Sequence, residues 1–179
     1  MDSSTYRICS RGNGPLSVLF TGLLLLFTLG WNVKNFSKPS KEDILIDDIF
    51  KLGSMDLYNG RMSYSEIEVL GRVYATGIAS KKIRTIKGFL EKSLEKKLGV
   101  KTVCFAYVDL DLYQPTKLTL EFLNTKLVVG GYIVIDDYGF FSTGVKTAVD
   151  EFDRNYPGQY LKKSIKTETS RFCILQRKK

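Results

Sequence analysis

The sequence predicts an α/β domain with a mostly parallel sheet, helices on both faces and a closing antiparallel strand pair. Three observations carry this. From residue 44 onward, strand-like and helix-like segments alternate. Residues 103–108 and 132–135 are near-continuous apolar runs, as in strands buried on both faces. Residues 160–166 and 171–177 alternate around a polar turn and read as an antiparallel pair.

The elements follow in order. Residues 1–43 read as a leader. Within it, residues 15–31 carry no charge and sit at the lower limit of the roughly 17–25 residues that a spanning helix needs. A membrane-associated segment is the favoured reading, with the soluble part of the chain in the cytoplasm, either free or membrane-anchored; a cleaved signal peptide and a buried helix compete with it. In the last case residues 5–9 form a short strand and Arg11-Gly12-Asn13-Gly14 a turn opening a helix, although a lone glycine pair is a weak nucleotide-loop signal. Residues 32–43 are polar, contain Pro39 and read as a linker to a domain over 44–179.

Ile44-Leu45-Ile46 is a short strand-like run ending in Asp47-Asp48. Ser63 and Glu66 have capping-box spacing, and Ile67, Leu70, Val73 and Tyr74 share one face of the helix that follows, with Gly77 closing it. Residues 82–87 alternate as a strand, and 89–98 form a Lys- and Glu-rich helix ended by Gly99. After the 103–108 strand, Pro115 starts a helix through about Lys126 with Leu118, Phe122 and Leu123 inward. Gly130-Gly131 turn the chain into the 132–135 strand, and a last helix runs from Gly144 to about Tyr156.

Composition excludes several chemistries. The chain has no histidine, so imidazole bases and histidine metal ligands are ruled out, and any metal site uses oxygen ligands suited to Mg²⁺, Ca²⁺ or Mn²⁺. Its three cysteines are widely spaced, which suggests buried thiols in a reducing compartment, not zinc or disulfides. The net charge of +8 comes from scattered lysines and arginines that read as a solvated surface, so no nucleic-acid partner is expected.

The informative feature is that both central strands end in carboxylates. Ligands of open α/β sheets sit beyond the carboxyl ends of the strands. If the two strands are neighbours, Asp109, Asp136 and Asp137 converge, and such a group tolerates its own repulsion when a divalent cation lies between its members. Any one of these aspartates alone reads as a turn or cap residue. Asp111, just before the Pro115 helix, is the candidate for that role, and Glu151 and Asp153 read as helix-surface charges.

Residues 107–152, YVDLDLYQPTKLTLEFLNTKLVVGGYIVIDDYGFFSTGVKTAVDEF, carry D-x-D-L-Y after one strand, I-D-D-Y-G after the next and a K-x-A-V-D-E-F helix. With residues 58–94 and the D-D-I-F-K-L-G turn at 47–53, this stretch resembles the macrocin O-methyltransferase (TylF/MycF-like) family of class I methyltransferases. The resemblance implies a Rossmann-like doubly wound sheet with an antiparallel C-terminal strand, S-adenosylmethionine and Mg²⁺ as cofactors, and a small-molecule hydroxyl acceptor, often on a sugar. By motif position it implies Asp109, Asp136 and Asp137 as metal ligands and Asp109 as the catalytic residue. Asp47 or Asp48 would stand at the cofactor ribose, and Gly88 and Phe89 near the adenine. The family's usual first strand and glycine-rich loop have no counterpart before residue 44, where the apolar leader stands instead. A degenerate, non-catalytic relative is therefore one alternative, and a phosphoryl or glycosyl transferase using the same carboxylates is another. The sequence leaves homo-oligomer formation open.

Overall fold

The computed structural model describes residues 6–11, 14–20, 39–58, 66–77, 84–85, 102–168 and 170–179. Its centre is a four-stranded sheet in the order β4-β5-β7-β6, built from β4 (Val103–Val108), β5 (Leu127–Ile135), β6 (Tyr160–Lys166) and β7 (Arg171–Arg177). β4 and β5 are parallel, whereas β7 runs antiparallel to both β5 and β6. This is a Rossmann-like α/β arrangement, and the predicted closing pair has the predicted limits. The apolar runs fill the core: Val103, Ala106, Val108, Ile133, Ile135, Cys173 and Leu175 are all buried. Burial pushes the Cys173 thiol up to about 12, as expected of an inert core thiol.

β5 is longer than the predicted 132–135 strand. Val103 pairs with Leu127 but Phe105 with Tyr132, so β5 bulges against β4. Gly130 and Gly131 make that bulge and do not end the strand: Gly130 has φ +81°, and a Cβ on Gly131 would lie 2.9 Å from the Val128 carbonyl oxygen and 3.0 Å from that of Cys104.

Three α-helices are described, α1 (Glu66–Ala75), α2 (Tyr113–Asn124) and α3 (Thr143–Asn155), besides a short 3-10 helix at Met55–Tyr58. α2 and α3 pack on one another and on the sheet, burying Leu120, Leu123, Val145, Val149 and Phe152. Leu118 and Phe122, expected inward, are only half-buried, and Leu120 takes the central place. α1 ends with the Gly77 amide on the Tyr74 carbonyl, as predicted. Its expected apolar face is not core, since Ile67 and Tyr74 are exposed.

Segment 39–58 docks beside the N-termini of α2 and α3. Ile44–Ile46 contributes one antiparallel bridge, Leu45 to Ser142, and no full strand. Ser40 and Asp43, read as linker, are built into the fold. Asp43 is buried, accepts from the Ser40 amide and hydroxyl at 2.8 Å, and caps α2 by accepting from the Tyr113 amide at 2.8 Å. Thr143 at the start of α3 receives the Ile44 amide on its hydroxyl oxygen and donates its own amide to the Ile44 carbonyl. Met55, Tyr58, Leu112 and Phe141 close a second small core there.

β1 (Tyr6–Arg11) and β2 (Gly14–Phe20) form an antiparallel hairpin that also pairs with β3 (Arg84–Thr85). The described part of the apolar run 15–31 is thus strand, not helix, and Gly14 opens no helix; residues 21–31 lie outside the described residues. Among the described residues no helix is long and apolar enough to cross a membrane. The predicted helix at 89–98 also lies outside them.

Asp150 on α3 gathers the surface beside β6. It accepts from Tyr138 at 2.6 Å, from Lys162 at 2.8 Å and from Lys146. Burial raises its carboxyl, but these donors outweigh burial and hold it down at about 2. A carboxylate held below its ordinary range stabilises the fold above about pH 4 and loses that contribution as pH falls through about 2. After solvent screening, Asp150→Asn should cost about 1 kcal/mol at pH 7. Denaturant unfolding of variant and wild type should show the deficit shrinking as pH is lowered to about 2.

Candidate metal and cofactor centre

Parallel pairing brings the two strand ends level. The Asp136 amide donates to the Val108 carbonyl at 2.8 Å, one step past the last ladder pair, Val108 with Ile135. Asp109 and the Asp136-Asp137 pair therefore leave the sheet side by side.

Asp109, Asp111 and Asp137 each offer a carboxylate oxygen, and these oxygens lie within 4.8 Å of one another. Asp111 is thus not the cap of the Pro115 helix. That helix begins at Tyr113, its capping position is Leu112 with no side-chain bond, and Asp43 supplies the acceptor from far along the chain. Freed of capping, Asp111 takes φ 58° and shares a side-chain hydrogen bond with Asp137, whose own φ is 53°. Left-handed backbone is uncommon outside glycine, and aspartate tolerates it better than most residues. Ser142, the N-cap of α3, fixes this geometry by donating its hydroxyl to the Asp111 carbonyl at 2.8 Å.

Asp136 is placed differently. Its Oδ2 accepts from the Tyr107 phenol and its Oδ1 from the Asp137 amide at 2.9 Å. The centre is electrostatically crowded. Burial, then the charges of Asp136 and Asp137, hold the Asp109 carboxyl well above its ordinary range. Burial, the hydrogen bond with Asp111 and the charges of Asp111 and Asp136 push Asp137 up to about 9. Among the described residues neither Asp109 nor Asp137 has a salt-bridge partner. Three convergent carboxylate ligands suit a hard divalent cation.

The two predicted ribose candidates separate. Asp48 is committed to its own loop: its oxygens accept from the Leu52 amide at 2.8 Å, the Gly53 amide at 2.6 Å and the buried Tyr58 hydroxyl at 2.5 Å. Asp47 keeps a buried Oδ2 with no hydrogen-bond partner, and its segment is tied to the turn after β5 through the Ile46 amide on the Phe141 carbonyl at 3.0 Å. An orphaned buried acceptor fits a ligand hydroxyl. Gly88 and Phe89 lie outside the described residues.

Sequence reasoning singled out Asp109, Asp136, Asp137 and the pair Asp47 and Asp48 but missed Asp111, Tyr107, Ser142 and Asp43. Ser142-Thr143-Gly144 at the head of an amphipathic helix was a readable cap signal, and a tyrosine inside the otherwise apolar V-C-F-A-Y-V run was a readable polar anchor.

Residues 53–167, more than half of the chain, match the macrocin O-methyltransferase (TylF) family. The chain belongs to that family. It is 32% identical over 94 residues to the demethyldecarbamoylnovobiocin O-methyltransferase of Streptomyces niveus, covering 52% of this chain and 35% of that protein. Among solved structures, the O-methyltransferase NovP superposes with a TM-score of 0.58 at 25% identity over 75% of this chain and 57% of NovP. The calicheamicin methyltransferase CalS11 shares the fold, with a TM-score of 0.51 at 20% identity over 74% of this chain and 55% of CalS11. The chain thus spans about a third of the curated relative and just over half of each structural neighbour.

Proposed function

We propose that this chain serves an S-adenosylmethionine-dependent O-methyltransferase whose acceptor is a hydroxyl of a sugar or other small molecule, with Mg²⁺ as second cofactor. The observation that carries the reading is the meeting of Asp109, Asp111 and Asp137 at the ends of two adjacent parallel strands, in a member of this family. Asp109, Asp111 and Asp137 would hold the cation, and by the family resemblance Asp109 would be the catalytic residue among them. The family resemblance counts Asp136 among the ligands as well; its bonds to Tyr107 and the Asp137 amide also suit it to fixing the turn.

When bound, the cation lowers the pKa of the acceptor hydroxyl and orients it. The rest falls to the chain. The sulfonium methyl is already activated, so catalysis depends on placing the acceptor in line with it. Asp47, whose Oδ2 is buried and unpartnered beside the turn that carries Asp137, would receive a cofactor ribose hydroxyl.

Calorimetric titration of S-adenosylmethionine into the purified chain, with and without Mg²⁺, tests the reading. Micromolar binding is expected, and it licenses a search for the acceptor. Absence of binding at generous ligand concentration with Mg²⁺ present would overturn the enzyme in favour of a non-catalytic relative.

A further inference from the structure

We infer that Tyr107 is a positioning residue for the acidic centre, holding Asp136 and through it the Asp137 backbone; the inference rests on the metal-binding reading above. Tyr107 is the polar exception in β4, half-buried in a strand whose Val103, Ala106 and Val108 are buried. Its phenol donates to Asp136 Oδ2. The other oxygen of that carboxylate accepts from the Asp137 amide at 2.9 Å, and the Asp136 amide is gripped by the Val108 carbonyl at 2.8 Å. Adjacent residues of one strand thus hold Asp136 by side chain and by backbone. Asp137, next in line, has the left-handed φ of 53° that accompanies its meeting with Asp109 and Asp111.

The physical need is clear. Asp136 stands close enough to Asp109 and Asp137 for their charges to be felt, and it must not swing away from them. A single strong donor on its far oxygen fixes its rotation. The Asp136 oxygen that supports Asp137 then stays where the Asp137 amide needs it. Phenylalanine at 107 keeps the ring and the strand propensity but supplies no donor. Partners that orient ligands in this way typically contribute 10–100-fold to metal affinity.

Mn²⁺ binding to the full chain, followed by electron paramagnetic resonance, tests this alongside thermal unfolding of the metal-free protein. Tyr107→Phe is expected to bind Mn²⁺ roughly 10–100-fold more weakly than wild type, with metal-free unfolding little changed. Asp109→Asn, as a control, is expected to show no measurable binding. Wild-type affinity in Tyr107→Phe, whatever its stability, reduces Tyr107 to a fold pin and overturns the inference. If wild type itself binds no Mn²⁺, the metal reading fails first and the positioning role falls with it. Should Tyr107→Phe not fold, Asp136→Ala removes both acceptor oxygens and so breaks the same link, and wild-type affinity there is equally fatal.

Discussion

Gly144→Ala is expected to destabilise the protein by about 3 kcal/mol, against the sign that helix propensity alone gives. Alanine in place of glycine inside a helix ordinarily stabilises by about 0.4–1 kcal/mol. At position 144 a Cβ would fall onto Asp43 Oδ1 and within 2.7 Å of the Tyr113 amide nitrogen. Asp43 cannot yield cheaply. It is buried, receives two bonds from Ser40 and is the only described acceptor for the first amide of α2. Displacing it combines overpacking, about 1–3 kcal/mol, with loss of a helix cap, about 1 kcal/mol. Urea unfolding measures the sum. Asp43→Ala alone should cost about 1–2 kcal/mol, and the double variant clearly less than the two single costs together, because the clashing carboxylate is gone. A Gly144→Ala protein as stable as wild type would show that residues 40–43 do not dock on α2 and α3 as described.

That interaction shows which parts of this molecule its sequence discloses. β4, β6 and β7 were legible to the residue, because a six-residue apolar run and two alternating segments leave one period to choose from. The Asp43 cap was not. It joins Asp43 to Tyr113, and nothing local distinguishes it from an acidic linker residue. β5 was read short because a glycine pair marks a turn in local grammar, whereas parallel pairing with β4 turns it into a bulge. The face of α1 was legible as a pattern, but Ile67 and Tyr74 are exposed among the described residues.

The site divides in the same way. Carboxylates at the ends of two buried strands announced Asp109 and Asp137, because a parallel sheet brings such ends together whatever lies between. Asp111 was hidden by its rank in sequence: two residues before a helix, an aspartate reads as a cap. Only a left-handed backbone, held by Ser142 from another element, turns it toward the others. The choice between Asp47 and Asp48 was likewise invisible, since it depends on a buried tyrosine ten residues on that claims Asp48.

Asp109→Asn is expected to abolish Mg²⁺ binding while leaving the metal-free fold at least as stable as wild type. The two effects have one cause. Without a cation, burial and the charges of Asp136 and Asp137 make an ionised Asp109 unfavourable, so a neutral amide of nearly the same shape relieves a strain. With a cation, the same carboxylate would be one of its ligands, and losing one partner of a buried charge pair costs about 3–5 kcal/mol, roughly 100-fold or more in affinity. Thermal unfolding reads both signs. At Mg²⁺ of about 100 times its Kd, wild type gains about 2.7 kcal/mol, roughly 5–10 °C in Tm for a chain of this size, and the variant gains nothing. A variant that unfolds earlier than wild type without metal would mean that Asp109 is a structural acceptor. One that keeps the Mg²⁺ shift would mean that the cation sits elsewhere. Loss of the shift at equal or higher metal-free stability separates a ligand from both, because among these roles only a ligand site is strained when empty and stabilised when filled.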